Sequence, residues 1–469
     1  MDSSSFPIGK DVLSIIGVGI ALVLALPVVF ILNQIVGAIY RMTIGEWFTP
    51  WKHIPKVKQT DPLALFFGDF RAIKSQQPAD QHVKWMNELG PVYRYRHMFQ
   101  VHRILLADPK AMSYVLSPAK AYQYPKPEYT SAFLTAVLGE GLVSIEGEKH
   151  ARQRKIIAPA FAPGVIKEYQ PVVHRHAKAL VKKINEVIKE ENARRAGKFG
   201  ADHLLEGQAP SDRSVTLQDP AHQAVIDVLF WLSRTTLDII GEVGFSFMFD
   251  SLNHGDKDPL ANAMNVLMGA VLDLDLSTAI LVILSEKPGL KWIRYLPTSR
   301  RMRIKSAKKT VEEHAHVIVD RLRNEILAEN QGVSKDMFDD MGDSRPKSLV
   351  SRMIRANMAT DLKASERMSN AELMGQMTTL IIAGHETTAT QNSWALWLLA
   401  MHPEVQDKLR KVLQEAVAKE NAEKDDLPEE EQAIYEYQPV RDINSIKYLD
   451  DVVKECVLSL IHISEPTRP

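Results

Sequence analysis

The stretch Ala383-Gly384-His385-Glu386-Thr387-Thr388 lies in the middle of a long apolar segment of this 469-residue chain. A glycine in a helix interior lowers helix stability by roughly 1 kcal/mol relative to an alanine, so helix formation alone does not explain this sequence. A carboxylate beside a hydroxyl can pass protons, and a threonine hydroxyl can bond the carbonyl four residues earlier, which loosens the helix. Gly384 would also leave a notch for a small ligand. The stretch is therefore either a helix-packing glycine beside a solvated glutamate or part of a chemical site.

The helix around this stretch has clear predicted ends. Ser369 and Glu372 form a Ser-x-x-Glu capping box at its start, and Pro403 stops it and opens the next helix. The roughly 30 residues between them would span about 45 Å and are apolar on nearly all sides. We therefore expect this helix to run through the core of a large domain, with a functional break at its centre.

His385 and Glu386 also begin the zinc-protease pattern His-Glu-x-x-His. The second histidine of that pattern would stand three residues after Glu386, where the chain has Ala389. The sequence excludes this type of zinc site.

The composition is that of a globular protein with a large core, since 45% of the residues are hydrophobic and 25% are charged. The formal net charge of −1 gives no reason to expect a nucleic-acid partner. The single cysteine, Cys456, excludes an intrachain disulfide and is typical of a reducing compartment.

An uncharged run from Val12 to Leu32 is long enough to cross a bilayer. A buried core helix is the alternative, and the run is longer than the apolar part of a signal peptide. Basic residues follow the run in excess, which by the positive-inside rule places the next domain in the cytosol. We expect a single membrane anchor, followed by a stiff hinge that contains Pro50 and Pro55.

The rest of the chain is predicted to be mainly helical. Two short strands at 92–96 and 101–106 form a predicted hairpin, and Asp108 opens a helix that ends near Leu116. Three polar stretches at 191–218, 331–347 and 421–440 read as surface insertions. The predicted longer helices cover 145–158, 164–190, 221–245, 260–285, 303–329, 369–401, 403–420 and a segment from Tyr448.

Two groups of basic residues have more than one interpretation. His150 and Arg154 are four residues apart on one helix face, where they form either a site for an anion such as a carboxylate or a solvated basic surface. The basic run that starts at Arg300 and ends at Lys309 is expected to be a solvated helix face, with a membrane surface or an acidic partner protein as the alternative.

In order and spacing, these features resemble a membrane-bound cytochrome P450, a haem-thiolate monooxygenase. The resemblance covers residues 1–456 and includes the anchor, the hinge and the hairpin. The further motifs are Gly147–Lys155 with Ala158–Phe161, the Ala383–Thr388 stretch, His402–Leu409 and Tyr448–Glu455.

The resemblance implies a mainly α cytochrome P450 fold with a small β subdomain, plus one N-terminal transmembrane helix. It divides the chain into a short N-terminal segment (1–11), the transmembrane anchor (12–32), a Pro-containing hinge (33–58), an incomplete catalytic domain (59–456) and an aberrant tail (457–469). The segment from Tyr122 to Leu134 matches the family's variable loop at the substrate pocket.

The resemblance also assigns roles to site residues. Glu386 and Thr387 match the acid–alcohol pair that relays protons to dioxygen at the haem. Ala383 and Gly384 match positions where the central helix opens over the haem, and Thr388 is a further expected cofactor-binding residue. His150 and Arg154 match contacts to the haem propionates, and Glu455 matches the glutamate of a structural Glu-x-x-Arg pair.

The implied activity is the insertion of one atom of dioxygen into an apolar small molecule, with haem b as cofactor. Electrons would come from NADPH through an NADPH–cytochrome reductase. The other implied partner is membrane lipid, with no nucleic acid. The implied location is the endoplasmic reticulum membrane, with a single span and a cytosolic catalytic domain.

The chain departs from the family pattern after Glu455. Leu458 stands where the arginine of Glu-x-x-Arg is expected, and the loop with the haem-ligating cysteine does not follow. Cys456 lies on the Glu-x-x-Arg helix and is interpreted as a buried thiol, and nothing near His462 supports it as a replacement ligand. We expect a truncated, inactive chain without the thiolate ligand. The alternative from another class is a non-catalytic, membrane-tethered helical protein that binds no haem.

Overall fold

The computed structural model describes residues 29, 32–74, 80–120, 122–195, 226–254, 259–272, 281, 292–293, 296–330, 347–358, 363, 366–424 and 443–460. These residues are mainly helical, with one two-stranded sheet, so the predicted fold class of a mainly α protein with a small β part is confirmed. They form two compact units, one that contains the residues up to Tyr124 and those from Ser459, and one that runs from Pro125 to Leu458.

The first unit is built around the predicted hairpin. Asp108 caps the helix that follows the hairpin, because its carboxylate accepts a hydrogen bond from the Ala111 backbone N–H at 2.8 Å. The strands are antiparallel, with Val92 opposite Leu106. After a helical segment at 32–42, the elements are α1 (Ile44–Phe48), α2 (Ala64–Phe67), α3 (Phe70–Lys74), α4 (Asp80–Leu89), β1 (Val92–His97), β2 (Val101–Leu106) and α5 (Pro109–Leu116).

The predicted hinge at 33–58 contains two helical segments and is attached to the hairpin. Glu46 forms ion pairs with Arg94, at 2.6 Å, and with Arg96. Lys56 forms a parallel bridge with Arg94. These contacts hold the segment against β1.

The second unit is a helical assembly. Its elements are α6 (Glu128–Leu138), α7 (Gly147–Ile157), α8 (Pro163–Glu168), α9 (Gln170–Arg195), α10 (Val228–Phe245), α11 (Ser251–His254), α12 (Pro259–Leu272), α13 (Ser299–Asn330), α14 (Leu349–Met358), α15 (Asn370–Met401), α16 (Pro403–Lys424) and α17 (Lys447–Leu460). Short 3₁₀ helices cover Met98–Gln100 and Pro118–Lys120 in the first unit, and Ala158–Phe161 and Ile443–Ser445 in the second.

Two local predictions differ from the structure. The segment from Tyr122 to Leu134 was predicted as a loop, but it is helical from Glu128 onward because its apolar residues pack on the core as part of α6. Helix α14 was not predicted from the sequence. It is an amphipathic helix whose residues Val350, Met353 and Ile354 are buried.

The core of the second unit lies between α10 and α15, which pack along each other. Leu373, Met377 and Ile381 of α15 meet Leu237 and Phe245 of α10 in one apolar cluster. Each fully buried side chain of this kind contributes about 1.5–3 kcal/mol. The prediction that α15 runs through the core is therefore confirmed for its first half.

The second half of α15 differs from the prediction. Leu396, Trp397 and Met401 are 50%, 48% and 60% exposed. The apolar character of this half reflects packing of its other side, where Leu398 and Leu399 contact the cluster formed with α16 and α17.

Most of the predicted anchor at 12–32 lies outside the described residues. Within the described part of the chain, we find no helix with the length and apolarity needed to span a bilayer. The predicted insertions at 191–218, 331–347 and 421–440 also lie largely outside the described residues.

Candidate functional site

The start of α15 confirms the predicted capping box. The Ser369 hydroxyl accepts a hydrogen bond from the Glu372 backbone N–H at 3.3 Å, and the Glu372 carboxylate accepts one from the Ser369 N–H at 2.8 Å. Together they satisfy two of the free N–H groups at the start of the helix. The helix that carries the Ala383–Thr388 stretch therefore begins at a defined position.

Thr387 bonds back to the helix as predicted, and Thr388 makes the same kind of bond. The Thr387 hydroxyl donates to the Ala383 carbonyl at 2.6 Å, and the Thr388 hydroxyl donates to the Gly384 carbonyl at 2.8 Å. The helix nevertheless continues without interruption from Asn370 to Met401. The predicted opening of the backbone is therefore absent, because hydroxyl back-bonding supplements the helical hydrogen bonds here without replacing them.

The stretch has two different faces. His385 is only 1% exposed and faces the core. Ala383, Thr387 and Thr388 are exposed, and we call these three residues the small-residue face. Glu386 lies between the two faces and is half-buried. One turn earlier α15 is buried at Ile381 and Ile382, whereas here it exposes three short side chains.

Gly384 is a packing residue toward α10. A Cβ atom at this position would lie 2.8 Å from Cδ1 and 2.9 Å from Cγ1 of Ile240. The space beside the glycine is thus filled by Ile240, which favours the helix-packing interpretation on this side of the helix. Contact of Gly384 with a haem stays a prediction.

The Glu386 carboxylate has two polar neighbours. The Ser233 hydroxyl of α10 donates to its Oε2 at 3.5 Å, and His385 Nε2 lies 3.8 Å from the same oxygen. Thr236 of α10 donates to the His385 carbonyl at 2.9 Å. The sequence analysis did not identify Ser233 and Thr236, because hydroxyls in a helix that also contains Arg234, Asp238 and Glu242 form no motif of their own.

His150 and Arg154 lie on one face of α7, as their spacing predicted. His150 is half-buried and Arg154 is exposed. Burial, followed by the positive charges of Arg154 and Lys126, lowers the pKa of His150. Lys126 also pairs with Glu146. This face has a positive potential that suits an anionic group such as a carboxylate.

A buried polar network connects α7 to the first turns of α15. Arg152 forms an ion pair with Glu372, and Gln153 Nε2 donates to Glu372 Oε1 at 3.1 Å. Gln376 Nε2 donates to Gln153 Oε1. The network joins α15 about two turns before Ala383. The sequence reading did not identify this network, because its members are polar residues that have no motif of their own.

Two residues of the basic run at the start of α13 cap other helices. Arg300 donates to the Ala270 carbonyl at 2.9 Å, near the end of α12. Lys308 donates to the Thr135 and Ala136 carbonyls at 3.3 Å, near the end of α6. Cations are favourable at helix C-termini, so these two residues are structural. The expectation of a solvated face holds for the exposed Arg303, Lys305 and Lys309.

Helix α17 contains a buried cysteine, Cys456. Cys456 is 6% exposed and packs against Leu409 and Val452. Burial, with the Glu455 charge, raises the pKa of its thiol, as expected for a structural cysteine. Glu455 is exposed and makes no ion pair with any described residue, while His462 lies outside them. Among the described residues, no cluster of three His, Cys, Asp or Glu side chains could hold a metal ion.

The chain matches the family model named Cytochrome P450 over residues 58–199 and 212–458. It is 30% identical over 415 residues to cytochrome P450 monooxygenase 205 of Postia placenta, an alignment that covers 88% of this chain and 65% of that protein. It is 31% identical over 356 residues to cytochrome P450 monooxygenase claQ of Ampulloclitocybe clavipes, covering 75% of this chain and 56% of that protein.

A third relative is ganoderic acid synthetase CYP5150L8 of Ganoderma lucidum, 26% identical over 403 residues, with 84% of this chain and 64% of that protein covered. The chain thus spans less than two thirds of the length of these curated relatives. The family model covers most of the helical unit, including α7 and the Ala383–Thr388 stretch. The chain belongs to the cytochrome P450 family.

Proposed function

We propose that the whole protein is a haem-dependent monooxygenase that inserts one atom of dioxygen into an apolar small molecule. The observation that carries this proposal is the small-residue face of α15, which lies beside the half-buried Glu386. The relatives that are named monooxygenases support the same reaction. Because the chain spans 65% of the length of the first of these relatives, the activity is proposed for the whole protein.

The described residues suit the distal side of a haem. A flat macrocycle needs a surface of short side chains, which Ala383, Thr387 and Thr388 present. The haem propionates need cationic or donor groups, which His150 and Arg154 of α7 would supply. Cys456 does not suit the proximal side, because its thiol is buried among apolar side chains and its pKa is raised. We therefore assign only the distal and propionate contacts.

A bound haem supplies the oxidation chemistry, and the protein supplies geometry and proton access. The Glu386 carboxyl can take a proton from the solvent side, because the residue is only partly buried. The Thr387 hydroxyl already donates to the Ala383 carbonyl, so it can accept a hydrogen bond in its present orientation. Passing a proton onward requires Thr387 to release that carbonyl. Glu386 and Thr387 are thus proposed as the proton-relay pair.

We propose further that electrons come from NADPH through a reductase, and that the protein is a single-pass protein of the endoplasmic reticulum membrane with a cytosolic catalytic domain. The support for the location is the uncharged run at 12–32 and the basic residues that follow it. An apolar substrate is consistent with a membrane-associated enzyme.

The relay role of Thr387 is tested in the whole haem-loaded protein with two variants. Thr387→Ala removes the hydroxyl, whereas Thr387→Ser keeps it. We expect Thr387→Ala to lower product formed per NADPH by about 10²-fold, with haem content unchanged, and Thr387→Ser to retain most of the yield. Equal yields from wild type and Thr387→Ala would contradict the proposed relay.

The alternative of a non-catalytic helical protein is not favoured, because the family match includes the relay stretch and both flanking helices. Haem stoichiometry after purification of the whole protein distinguishes the two. One haem per chain supports the monooxygenase, and a haem-free protein supports the alternative.

A further inference from the structure

One carboxylate of the first unit is surrounded by basic side chains. Arg94 Nη1 lies 2.6 Å from Oε1 of Glu46 in α1. Arg96 and Lys56 both pair with the other carboxylate oxygen, Oε2, and Lys56 Nζ lies 3.6 Å from it. We call these four residues the Glu46 cluster. It joins α1 to strand β1 and to the segment before α2.

The Glu46 cluster has more positive than negative charge. Three cations share one carboxylate, which gives a charge of +2. Asp69 lies nearby, but it accepts the Arg96 backbone N–H at 2.7 Å, and burial raises the pKa of its carboxyl. Arg41 adds a further positive charge, and burial, followed by the charge of Arg96, lowers its pKa. These two neighbours together leave the excess of positive charge in place.

The cluster also has more hydrogen-bond donors than acceptors. Arg96 Nη1 donates to Gln100 Oε1 at 3.1 Å, and Arg96 Nη2 pairs with Glu46. Arg96 Nε is buried and has no partner among the described residues. A buried cation is unfavourable unless its charge and its N–H groups are matched by polar partners. An additional anion at the cluster would therefore be stabilised.

The cluster extends from the interior to the protein surface. The Arg96 side chain is 2% exposed, whereas the Glu46 side chain is 20% and the Lys56 side chain 36% exposed. An anion can therefore contact the Lys56 end of the cluster without entering the core. Ammonium and guanidinium groups are the side-chain donors that bind phosphate in proteins. A phosphate group suits this end of the cluster.

The surface beside the cluster is apolar and aromatic. Trp47 and Phe48 follow Glu46 directly in α1 and are 79% and 77% exposed. Ile44 of the same helix is also exposed. Tryptophan is enriched where proteins meet the headgroup region of a bilayer, and α1 closely follows the uncharged run at 12–32. A phospholipid has the matching chemistry, because it joins a phosphate group to apolar chains.

We propose that the Lys56 end of the Glu46 cluster binds the phosphate group of an anionic phospholipid, and that Trp47 and Phe48 contact its acyl chains. The cations supply charge and donors to the phosphate oxygens. The ion pairs of Glu46 with β1 fix α1, and with it the two aromatic side chains, to the first unit. The choice of a lipid as the source of the anion rests on the membrane location proposed above, whereas the anion site itself does not.

The site is tested by thermal unfolding of the full chain with lipid vesicles at a fixed heating rate. The vesicles contain phosphatidylcholine alone or phosphatidylcholine with about one fifth phosphatidic acid. We expect phosphatidic acid to raise the unfolding midpoint by about 3 °C, because a ligand of the folded state stabilises it. An unchanged midpoint overturns the proposal.

Inorganic phosphate distinguishes the two sources of the anion. It is added to the phosphatidylcholine vesicles at the same concentration as the phosphatidic acid. We expect a much smaller rise in the midpoint, because free phosphate makes no contact with Trp47 and Phe48. An equal rise overturns the lipid as the ligand and assigns the site to a free anion.

Lys56→Gln tests the cluster itself. We expect this variant to lose most of the rise caused by phosphatidic acid, since it removes the exposed cation. Lys58→Gln is the matched control, because Lys58 is an exposed lysine two residues further along. It should keep the rise. A rise that is equal in the two variants overturns binding at the cluster.

A second variant, Trp47→Ser combined with Phe48→Ser, tests the aromatic contact without touching the ion pairs. Both side chains are largely exposed, so the fold should be retained. We expect the rise caused by phosphatidic acid to fall by about half or more, with the effect of inorganic phosphate unchanged. The full wild-type rise in this variant overturns the acyl contact.

The outcomes are separate from those of the proposed function. The midpoints require neither haem nor turnover, so a protein that binds no haem refutes the monooxygenase and leaves the lipid result intact. Extraction of membranes with alkaline carbonate tests the anchor independently. A chain that resists extraction but does not respond to phosphatidic acid keeps its membrane location and loses the lipid site.

Discussion

Arg152 of α7 forms an ion pair with Glu372 in the first turn of α15, across 220 residues of sequence. Glu372 is only 4% exposed and also accepts hydrogen bonds from the Ser369 N–H at 2.8 Å and from Gln153 at 3.1 Å. One carboxylate thus caps its own helix and attaches it to the helix that carries His150 and Arg154. Through the Glu372 carboxylate, the position of the Ala383–Thr388 stretch on α15 depends on the position of His150 and Arg154 on α7.

Replacing Glu372 with Gln should destabilise the protein. The substitution keeps the shape but removes the charge that Arg152 and two N–H donors surround, which should cost about 1–3 kcal/mol in the free energy of unfolding. Urea denaturation followed by circular dichroism measures this difference. The matched control is Glu140→Gln, since Glu140 pairs with Lys149 and both side chains are exposed, which predicts a change below about 0.5 kcal/mol. Equal effects of the two substitutions would contradict a structural role for the network.

Acid should weaken the same network. Burial alone would raise the pKa of Glu372, but hydrogen bonds from Ser369 and Gln153 and the charge of Arg152 lower it overall from 4.5. Because the folded-state pKa lies below the unfolded value, the stabilisation is present above about pH 4.5 and is lost as the pH falls through the folded pKa. We expect the unfolding free energy of Glu372→Gln to depend less on pH in the acidic range. Parallel pH profiles of the two proteins would show that Glu372 is not the group responsible.

Gly384→Ala should reveal how tightly α15 packs on α10. The added Cβ would lie 2.8 Å from Ile240 Cδ1, so we expect a loss of about 1–2 kcal/mol in stability. Ile240→Val removes that methyl group and should reduce the loss, which gives a measurable coupling in a double-mutant cycle.

The control for this substitution is Gly269→Ala in α12, where no atom lies within 4 Å of the added Cβ. It should stabilise the protein by up to about 1 kcal/mol, because alanine is the better helix former. A neutral Gly384→Ala variant would show that the two helices have room to separate.

The pKa of His150 should rise when Arg154 is replaced with Gln. Burial is the first cause of the lowered pKa of His150, and the charges of Arg154 and Lys126 are the next two. Removing one of these charges makes the imidazolium less unfavourable. An NMR titration of the His150 ring protons measures the change. Lys155→Gln is the control, because Lys155 is an exposed residue of the same helix that is not among the causes of the shift.

The Cys456 thiol should react slowly in the folded protein. Its burial and its raised pKa both reduce the amount of accessible thiolate. We expect alkylation by iodoacetamide at least about tenfold slower than in urea. Reaction at the unfolded rate would show that α17 opens readily and would remove the argument against Cys456 as a thiolate.

Local interactions made several features predictable from sequence. The Ser369 capping box, the back-bonds of Thr387 and Thr388 and the Asp108 cap each join residues at most four positions apart, so residue types and spacing suffice to predict them. The hairpin was predictable because its strands follow each other directly in the chain. The mainly helical fold class follows from the helical spacing of apolar residues.

Contacts between distant segments depended on the tertiary structure. Spacing does not show that Arg152 reaches Glu372, that Ser233 and His385 converge on Glu386 Oε2, or that Ile240 fills the space beside Gly384. A polar residue on a helix faces either solvent or another helix, and only the packing of α7 and α10 on α15 selects between them. The sequence by itself therefore determined the helix, its cap and the placement of Glu386 beside Thr387. Packing decided which groups of other helices lie beside that pair, such as Ser233 of α10, because those helices are far away in the chain.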